Sequence, residues 1–565
     1  MPSLEQEVLK AGVLVIGGGL AGCMAAIRAS ELIGPENVLV VEKSHVRRSG
    51  NAATGVDHTW SYMPEIHGPM GYTIEQLVED HVTAMGRFQD PDLIYTVAST
   101  IADRIRDMER WGFPVRTGGG YDYVQKIHRV PTFLHWAGRD QKVLFTRELS
   151  KRGIKILNRV MATDLIKEEG RVVGAIGVGA KEARFFVFCA KAVIVTTGTT
   201  ARLFPGPTSW EFNRGTNPYG TGEGLSMAYR AGAEVTGVEF LYGHTGPKNF
   251  AKKGRGTWIG VAEDARGEPI GKVREVADPK KIDISVESPG DMIKAYREGR
   301  APILMNCAGI SDEDLAYMRW GLLNEGNILL LQYMEEMGID PRKSRVEFSF
   351  YEPELRGGLV IDTKSETTVS GLFAAGDIVG NIKRGVSPGA YAMGWIAGES
   401  AAKEAKRQGL SDLKEASSFV EAKRSFYAEI LRREACATWK EALAAVQDVM
   451  DYYAGEVRSE PLLKAGLFQL RNIRERATAT LTAQNPHELV HCLEAFSLMD
   501  VGEAAILSAL ERKESRSTFR ENFRRVDYPE ADAEMDKLLI LRLEEGQPVF
   551  RWREPKGIAR GMSKE

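Results

Sequence analysis

The run Gly12–Ile16 (GVLVI), followed by Gly17-Gly18-Gly19-Leu20-Ala21-Gly22, constrains this chain more than any other segment. Five mostly apolar residues predict a buried strand, the glycines a tight turn, and Cys23 to Ile33 a helix. A second β-rich run, Val38 to Val41, ends in Glu42. Strand, glycine turn, helix and strand within about 30 residues is the opening unit of a doubly wound α/β sheet. Gly17, Gly19 and Gly22 fit the spacing G-x-G-x-x-G. The first permits the turn, the second lets a pyrophosphate approach the backbone, and the third lets helix and strand pack closely. The helix start at Leu20 and Ala21 offers unpaired amides to the phosphates. Glu42 follows Gly22 by about 20 residues, where an acid accepts from ribose hydroxyls. A lone glycine fingerprint is weak, but here all of its context is present, and the segment reads as a dinucleotide site.

Two further strand ends share this character. Ala192-Val193-Ile194-Val195-Thr196-Thr197-Gly198 is a buried strand closing on glycine, and Gly371-Leu372-Phe373-Ala374-Ala375-Gly376-Asp377 is another. Asp377, at a strand end before the helix-like stretch Ala390 to Lys406, suits a ribityl hydroxyl; a simple strand-end turn explains it equally well in isolation. Between these strands a mixed, charged region is expected as an insertion. Beyond about residue 404 the period turns helical, with Glu415 to Tyr453 and Leu462 to Leu481 rich in Ala, Leu, Glu and Arg. Leu538 to Trp552 alternates enough for a strand or two. The expected division is 1–234 and 346–405 for the two parts of the nucleotide-binding domain, 235–345 for a capping and substrate domain, 406–510 for a helical domain, and 511–565 for a C-terminal segment.

Composition excludes several classes. The 565 residues carry 74 Lys+Arg against 77 Asp+Glu, a formal charge of -3, so nucleic acid is not a default partner. No apolar run reaches the roughly 18 residues of a membrane span. Met1 to Lys10 has no signal pattern, so a cytoplasmic location is expected. The five cysteines (Cys23, Cys189, Cys307, Cys436, Cys492) are scattered without a C-x-x-C pair. That argues against a disulfide framework and against an iron–sulfur cluster or metal site in the chain itself. His487 and His491 stand one helical turn apart but have no third ligand nearby, and Lys272, Arg274, Lys280 and Lys281 read as a solvated surface.

Five stretches carry a family resemblance: GGGLAG, VEKSHVRRSGNAATG, PYGTGEGLSMAYRAGAEV, GLFAAGD and ESRSTFRENFRRVDYPE. In this order, over nearly the whole chain, they resemble the fumarate reductase/succinate dehydrogenase flavoprotein superfamily, whose members include L-aspartate oxidase and the adenylylsulfate reductase alpha subunit. Glu42-Lys43, Arg48-Ser49-Gly50, the FVFCAKAVIVTTG strand and Arg525 to Pro529 look most like the adenylylsulfate reductase branch. The resemblance implies an α/β fold: a Rossmann-like FAD-binding domain with an inserted α+β capping domain and a C-terminal helical domain. It implies that Lys43, Ser49, Gly50, Asn51, Gly198, Gly376 and Ser387 join the glycine turn, Glu42 and Asp377 in holding FAD. Family members with covalent flavin have a histidine just after the Arg-Ser of this loop; Gly50 stands there, so the flavin is expected to be noncovalent.

The same resemblance implies a cationic site over the flavin. Arg266-Gly267-Glu268 matches the family's proton-donating Arg-Gly-Glu, although that tripeptide is also an ordinary charged loop. An arginine gives up a proton only beside an acid and in a buried setting, because its free pKa exceeds about 12. His244-Thr245-Gly246 resembles the substrate histidine motif without its proline. Arg384 matches the position that holds a substrate anion, for which a forked guanidinium is suited. Where fumarate reductases carry a second substrate histidine this chain reads Pro353-Glu354-Leu355-Arg356-Gly357-Gly358, which makes Arg356 a new cation near the same place. His128, His135, Trp136 and Arg139 form a polar-aromatic cluster expected near the flavin face. The implied protein is the flavoprotein component of an FAD-dependent oxidoreductase that works on a small anion and is coupled to a ferredoxin-like iron–sulfur subunit. The other readings are an adenylylsulfate reductase-like enzyme, or a flavin protein that only relays electrons.

Overall fold

The computed structural model describes residues 4–124, 128–206, 217–243, 245–248, 258–270, 289–350, 353–383, 386–434, 436–517, 521–530 and 536–556. Its centre is a sheet built on β1 (Glu5–Ile16), which runs parallel to β2 (Val38–Glu42) on one side and to Arg184–Val195 on the other. Val13, Leu14 and Val15 have no exposed surface, as expected of a parallel strand covered on both faces. Lys155–Asn158 extends the sheet beyond β2. The 12-residue strand Arg184–Val195 is shared along its length. Its first half pairs antiparallel with Arg171–Gly179, and its last three residues pair in parallel with Leu372–Ala374.

Helix α1 (Leu20–Ile33) covers one face of this sheet and starts at Leu20, directly after the turn. The helix Val386–Arg407 lies against it through small residues. A β-carbon on Gly394 would stand 2.6 Å from the Ala21 carbonyl oxygen, and one on Gly398 would stand 2.3 Å from that of Ala25. The backbones therefore approach more closely than side chains allow.

The insertion has its own antiparallel sheet, ordered Thr245–Pro247, Val346–Phe350, Ile303–Asn306 and Val261–Glu263. The helices Pro289–Arg297, Asp312–Asn324 and Ile328–Glu336 accompany it, and a separate core forms around Trp258, Met305, Met318 and Phe348. Residues Val235–Thr236 pair instead with Gly358–Leu359 and with the hairpin Leu538–Glu544/Gln547–Arg553. The inserted sheet thus runs from Thr245 to Phe350, inside one expected boundary and just past the other. Four helices follow, Ser417–Arg432, Trp439–Ala454, Glu460–Thr480 and Pro486–Glu511. The last is buried along most of its length, and its Asp500 accepts a hydrogen bond from Ser226 at 2.6 Å, tying the helices to the sheet domain. Among the described residues no helix is long and apolar enough to cross a membrane.

Gly398→Val is expected to lower stability to chemical denaturation by about 1–3 kcal/mol. Gly409→Ala, at a position with open space around it, is expected to leave stability unchanged.

Candidate active site

The C-terminal ends of β1, β2, Arg184–Val195 and Leu372–Ala374 converge, which is where doubly wound sheets bind ligands. Gly17 leaves β1 with φ +101°, and Thr196 Oγ1 donates to its carbonyl at 2.7 Å. A β-carbon on Gly22 would come 1.9 Å from the Gly17 carbonyl oxygen, so only glycine lets α1 close on the strand. Gly19 differs: its nearest such neighbour, the Thr196 carbonyl oxygen, is 4.0 Å away, so the turn is open on that side. The first intrahelical bond runs from the Cys23 amide to the Gly19 carbonyl, which leaves the preceding amides at Leu20, Ala21 and Gly22 for an anion. Glu42 is buried and accepts from the Gly18 amide and the Ser44 amide, both at 2.7 Å.

Of the remaining expected cofactor residues, Ser49 and Gly50 touch the turn and Gly376 touches α1. Ser49 Oγ donates to the Gly18 carbonyl at 3.2 Å. Gly50, at φ +81°, lies against the turn, with a β-carbon there 3.3 Å from Gly19 Cα. Asn51 is exposed and accepts from the Asn217 amide at 3.0 Å. Gly198 faces open space, as does Gly389 in the first turn of Val386–Arg407, where Ser387 is buried. Gly376 lies over Ala21, and Asp377 beside it is half-buried with no hydrogen bond or ion pair among the described residues. An open second glycine, free helix amides and an unengaged carboxylate at the third strand end are the features a dinucleotide needs, so these residues fit FAD.

Lys43 takes part in an ion-pair cluster, its ammonium binding Glu223, Glu494 at 2.7 Å and Thr221 Oγ1 at 2.8 Å. Burial opposes its charge, but attraction to Glu223 and Glu494 outweighs burial and raises its pKa. Burial likewise opposes the Glu494 carboxylate, and Lys43 with His491 overcomes this and holds its pKa at about 2. His491 Nδ1 contacts Glu494 at 2.6 Å and the ring stacks on Trp439 at 4.3 Å, while His487 meets it edge-on. The pair of histidines thus belongs to a charge cluster that joins β2 to the C-terminal helix.

The expected substrate cations are distributed differently. Arg266 and Glu268 are both exposed on a turn after Val261–Glu263 and are not paired with each other. Buried Asp264 fixes that turn, accepting from the Arg266 and Glu268 amides at 2.9 and 3.0 Å and from Arg300 at 3.3 Å. The Glu268 amide is the largest cause of the lowered Asp264 pKa. Arg356 is brought to the strand ends: Thr199 Oγ1 donates to the Leu355 carbonyl at 2.6 Å, and the Leu355 amide donates to the Thr200 carbonyl at 3.1 Å. Its guanidinium lies 3.8 Å from the Tyr242 ring centroid and 3.7 Å from Glu354. His244 and Arg384 lie outside the described residues.

The polar-aromatic cluster separates. His128 contacts His81 at 3.3 Å, and His81 Nε2 contacts the Lys383 carbonyl at 2.8 Å, immediately before Arg384. His135 Nδ1 meets Tyr317 OH at 2.6 Å and stacks on Tyr317 and Trp320 of the inserted unit. His58 lies 2.5 Å from Asp57 and 3.8 Å from Glu325, a second contact with that unit. Trp136 is packed in the core and donates to the Val56 carbonyl at 2.6 Å, whereas Arg139 is half exposed. Sequence pattern gives no sign of the buried Lys142 and Lys383, because Lys142 sits in the polar opening of a helix and Lys383 beside a charged loop.

Lys43→Met would leave Glu223 and Glu494 without their cation and is expected to cost about 3–5 kcal/mol in denaturant unfolding. Glu494 is depressed in the folded state from an unfolded value near about 4.3. Its contribution is therefore complete above about pH 5 and is lost as pH falls toward about 2; the wild-type unfolding midpoint should fall over that window more steeply than that of Glu494→Gln.

Two family models match the chain. Residues 12–270 match the FAD binding domain family, and residues 443–554 match the fumarate reductase flavoprotein C-terminal family. One subunit of the fumarate reductase (CoM/CoB) of Methanothermobacter marburgensis is 26% identical over 576 residues, covering 95% of this chain and 98% of that one. The fumarate reductase flavoprotein subunit of Mycobacterium tuberculosis is 26% identical over 570 residues, with 92% and 93% covered. Adenylylsulfate reductase of Archaeoglobus fulgidus has a TM-score of 0.84 at 24% identity, covering 98% of this chain and 97% of that one. E. coli quinol fumarate reductase has a TM-score of 0.81 at 18% identity, with 98% of each chain covered. The structural likeness is one of fold. The family matches, the full-length relatives and the geometry of the turn identify the chain as an FAD-dependent oxidoreductase of the fumarate reductase/succinate dehydrogenase flavoprotein superfamily.

Proposed function

We propose that this chain is the flavoprotein subunit of an enzyme that exchanges an electron pair between noncovalent FAD and a small anionic substrate, coupled to a ferredoxin-like iron–sulfur partner. FAD, when bound, supplies the two-electron chemistry by accepting or giving a hydride. The observation that carries the reading is Arg356, a partly buried cation fastened by Leu355 to the residues that follow Gly198. A guanidinium at the mouth of a cofactor cleft favours a carboxylate, sulfate or phosphate group. In this reading Arg356 and Arg384 orient the substrate anion together with His244, and Arg266 is assigned the proton; because Arg266 is exposed and apart from Glu268, that assignment requires bound substrate to bury it and bring it beside an acid. Arg266 belongs to the inserted unit, whose contacts through His135 and Glu325 hold that unit against the FAD-binding domain.

Noncovalent attachment is supported by Gly50, which offers no side chain and lies against Gly19. The need for a partner is supported by the scattered cysteines, of which Cys23, Cys189, Cys307 and Cys492 are buried apart in the cores. The names of the M. marburgensis and M. tuberculosis relatives also call them subunits.

Substrate turnover driven by a reduced artificial electron donor is expected to fall about 100-fold or more in Arg266→Ala, with flavin absorbance unchanged. Arg356→Ala is expected to raise KM more than it lowers kcat, because it removes ground-state binding of the anion. Full activity in Arg266→Ala would overturn the proton-donor assignment.

A further inference from the structure

Lys142 has no exposed surface and no carboxylate within ion-pairing distance among the described residues. Its ammonium donates to the Gly18 carbonyl and contacts Cys23 Sγ at 3.2 Å. The same carbonyl receives Ser49 Oγ at 3.2 Å and Cys23 Sγ at 3.5 Å. Three donors, one of them charged, therefore converge on a single oxygen of the dinucleotide turn. Glu42, the acid of the turn, accepts from the Gly18 and Ser44 amides and makes no ion pair with this ammonium.

A buried ammonium without a counter-ion costs several kcal/mol, and a fold keeps one when something else compensates. The peptide that accepts from Lys142 is the Gly18–Gly19 unit, and its N–H is the Gly19 amide at the start of α1. Hydrogen bonding to a peptide oxygen polarises the unit and strengthens its amide as a donor. Gly19 is also the open glycine of the turn.

We infer that Lys142 is a positioning residue for the FAD pyrophosphate: an internal counter-charge, behind the turn, that polarises the Gly19 amide and is compensated by the bound diphosphate. This rests on the FAD reading of the cleft. It assigns the position a role that the glycine fingerprint does not contain, because that fingerprint needs only the backbone and the helix start.

The inference gives Lys142 effects of opposite sign in the apo and flavin-bound protein. In Lys142→Met the apoprotein should melt at a higher temperature than wild-type apoprotein, because an uncompensated buried charge is gone. The same variant should bind FAD about tenfold or more weakly, read by flavin fluorescence quenching on titration. Lys142→Gln keeps a donor to the Gly18 carbonyl without the charge and should show the same loss of affinity. Wild-type affinity in Lys142→Gln, or equal FAD affinity with a lower apo melting temperature in Lys142→Met, would overturn the inference while leaving the FAD reading intact. Failure of the wild-type chain to bind FAD would overturn both.

Discussion

The close approach of Gly22 to Gly17 is the contact on which the rest of the site depends. With 1.9 Å between a hypothetical β-carbon and the Gly17 carbonyl oxygen, no side chain fits, and α1 starts hard against the end of β1. That places the helix's unpaired amides and partial positive charge at the rim of the sheet. The helix Val386–Arg407 is fixed against α1 in turn by Gly394 and Gly398, and Gly376 packs directly on Ala21, while Gly19 and Gly389 have open space beside them.

Around this backbone cradle the fold distributes buried charge with care for balance. Lys43 answers Glu223 and Glu494 and so joins β2 to the C-terminal helix. Asp500 does similar work with Ser226, Arg230 and Arg474. These clusters account for how a helical domain remote in sequence is held to the sheet domain. Lys142 stands outside that pattern, because its nearest polar contacts are a carbonyl and a thiol. The inserted unit has its own core and meets the FAD-binding domain through aromatic and acidic contacts at His135 and His58.

The parts legible in the sequence were those fixed by local chemistry. The β1–turn–α1–β2 unit, the strand ends at Gly198 and Gly376 and the terminal hairpin follow from apolar runs and glycine placement within a few residues. The resemblance gives Lys43 as an FAD-holding residue, whereas its place in an ion-pair cluster is not legible in the sequence, because Glu494 lies 451 residues away. His128 and His135 are neighbours in sequence, yet they face different partners, since the strand Phe133–His135 carries one of them to the inserted unit. Arg356 was recognisable as an odd cation. Its attachment through Leu355 to Thr199 and Thr200 is a tertiary fact that no spacing encodes.

The visible spectrum of the chain purified with its natural neighbours, followed by acid precipitation, puts the flavin cradle to the sharpest test. A flavin spectrum whose colour moves entirely to the supernatant, as one FAD per chain, with broad iron–sulfur absorbance from a small co-purifying protein, is the predicted result. Colour retained in the protein pellet would contradict the noncovalent cradle around Gly50, and a colourless chain that takes up no added FAD would contradict the flavoprotein assignment as a whole.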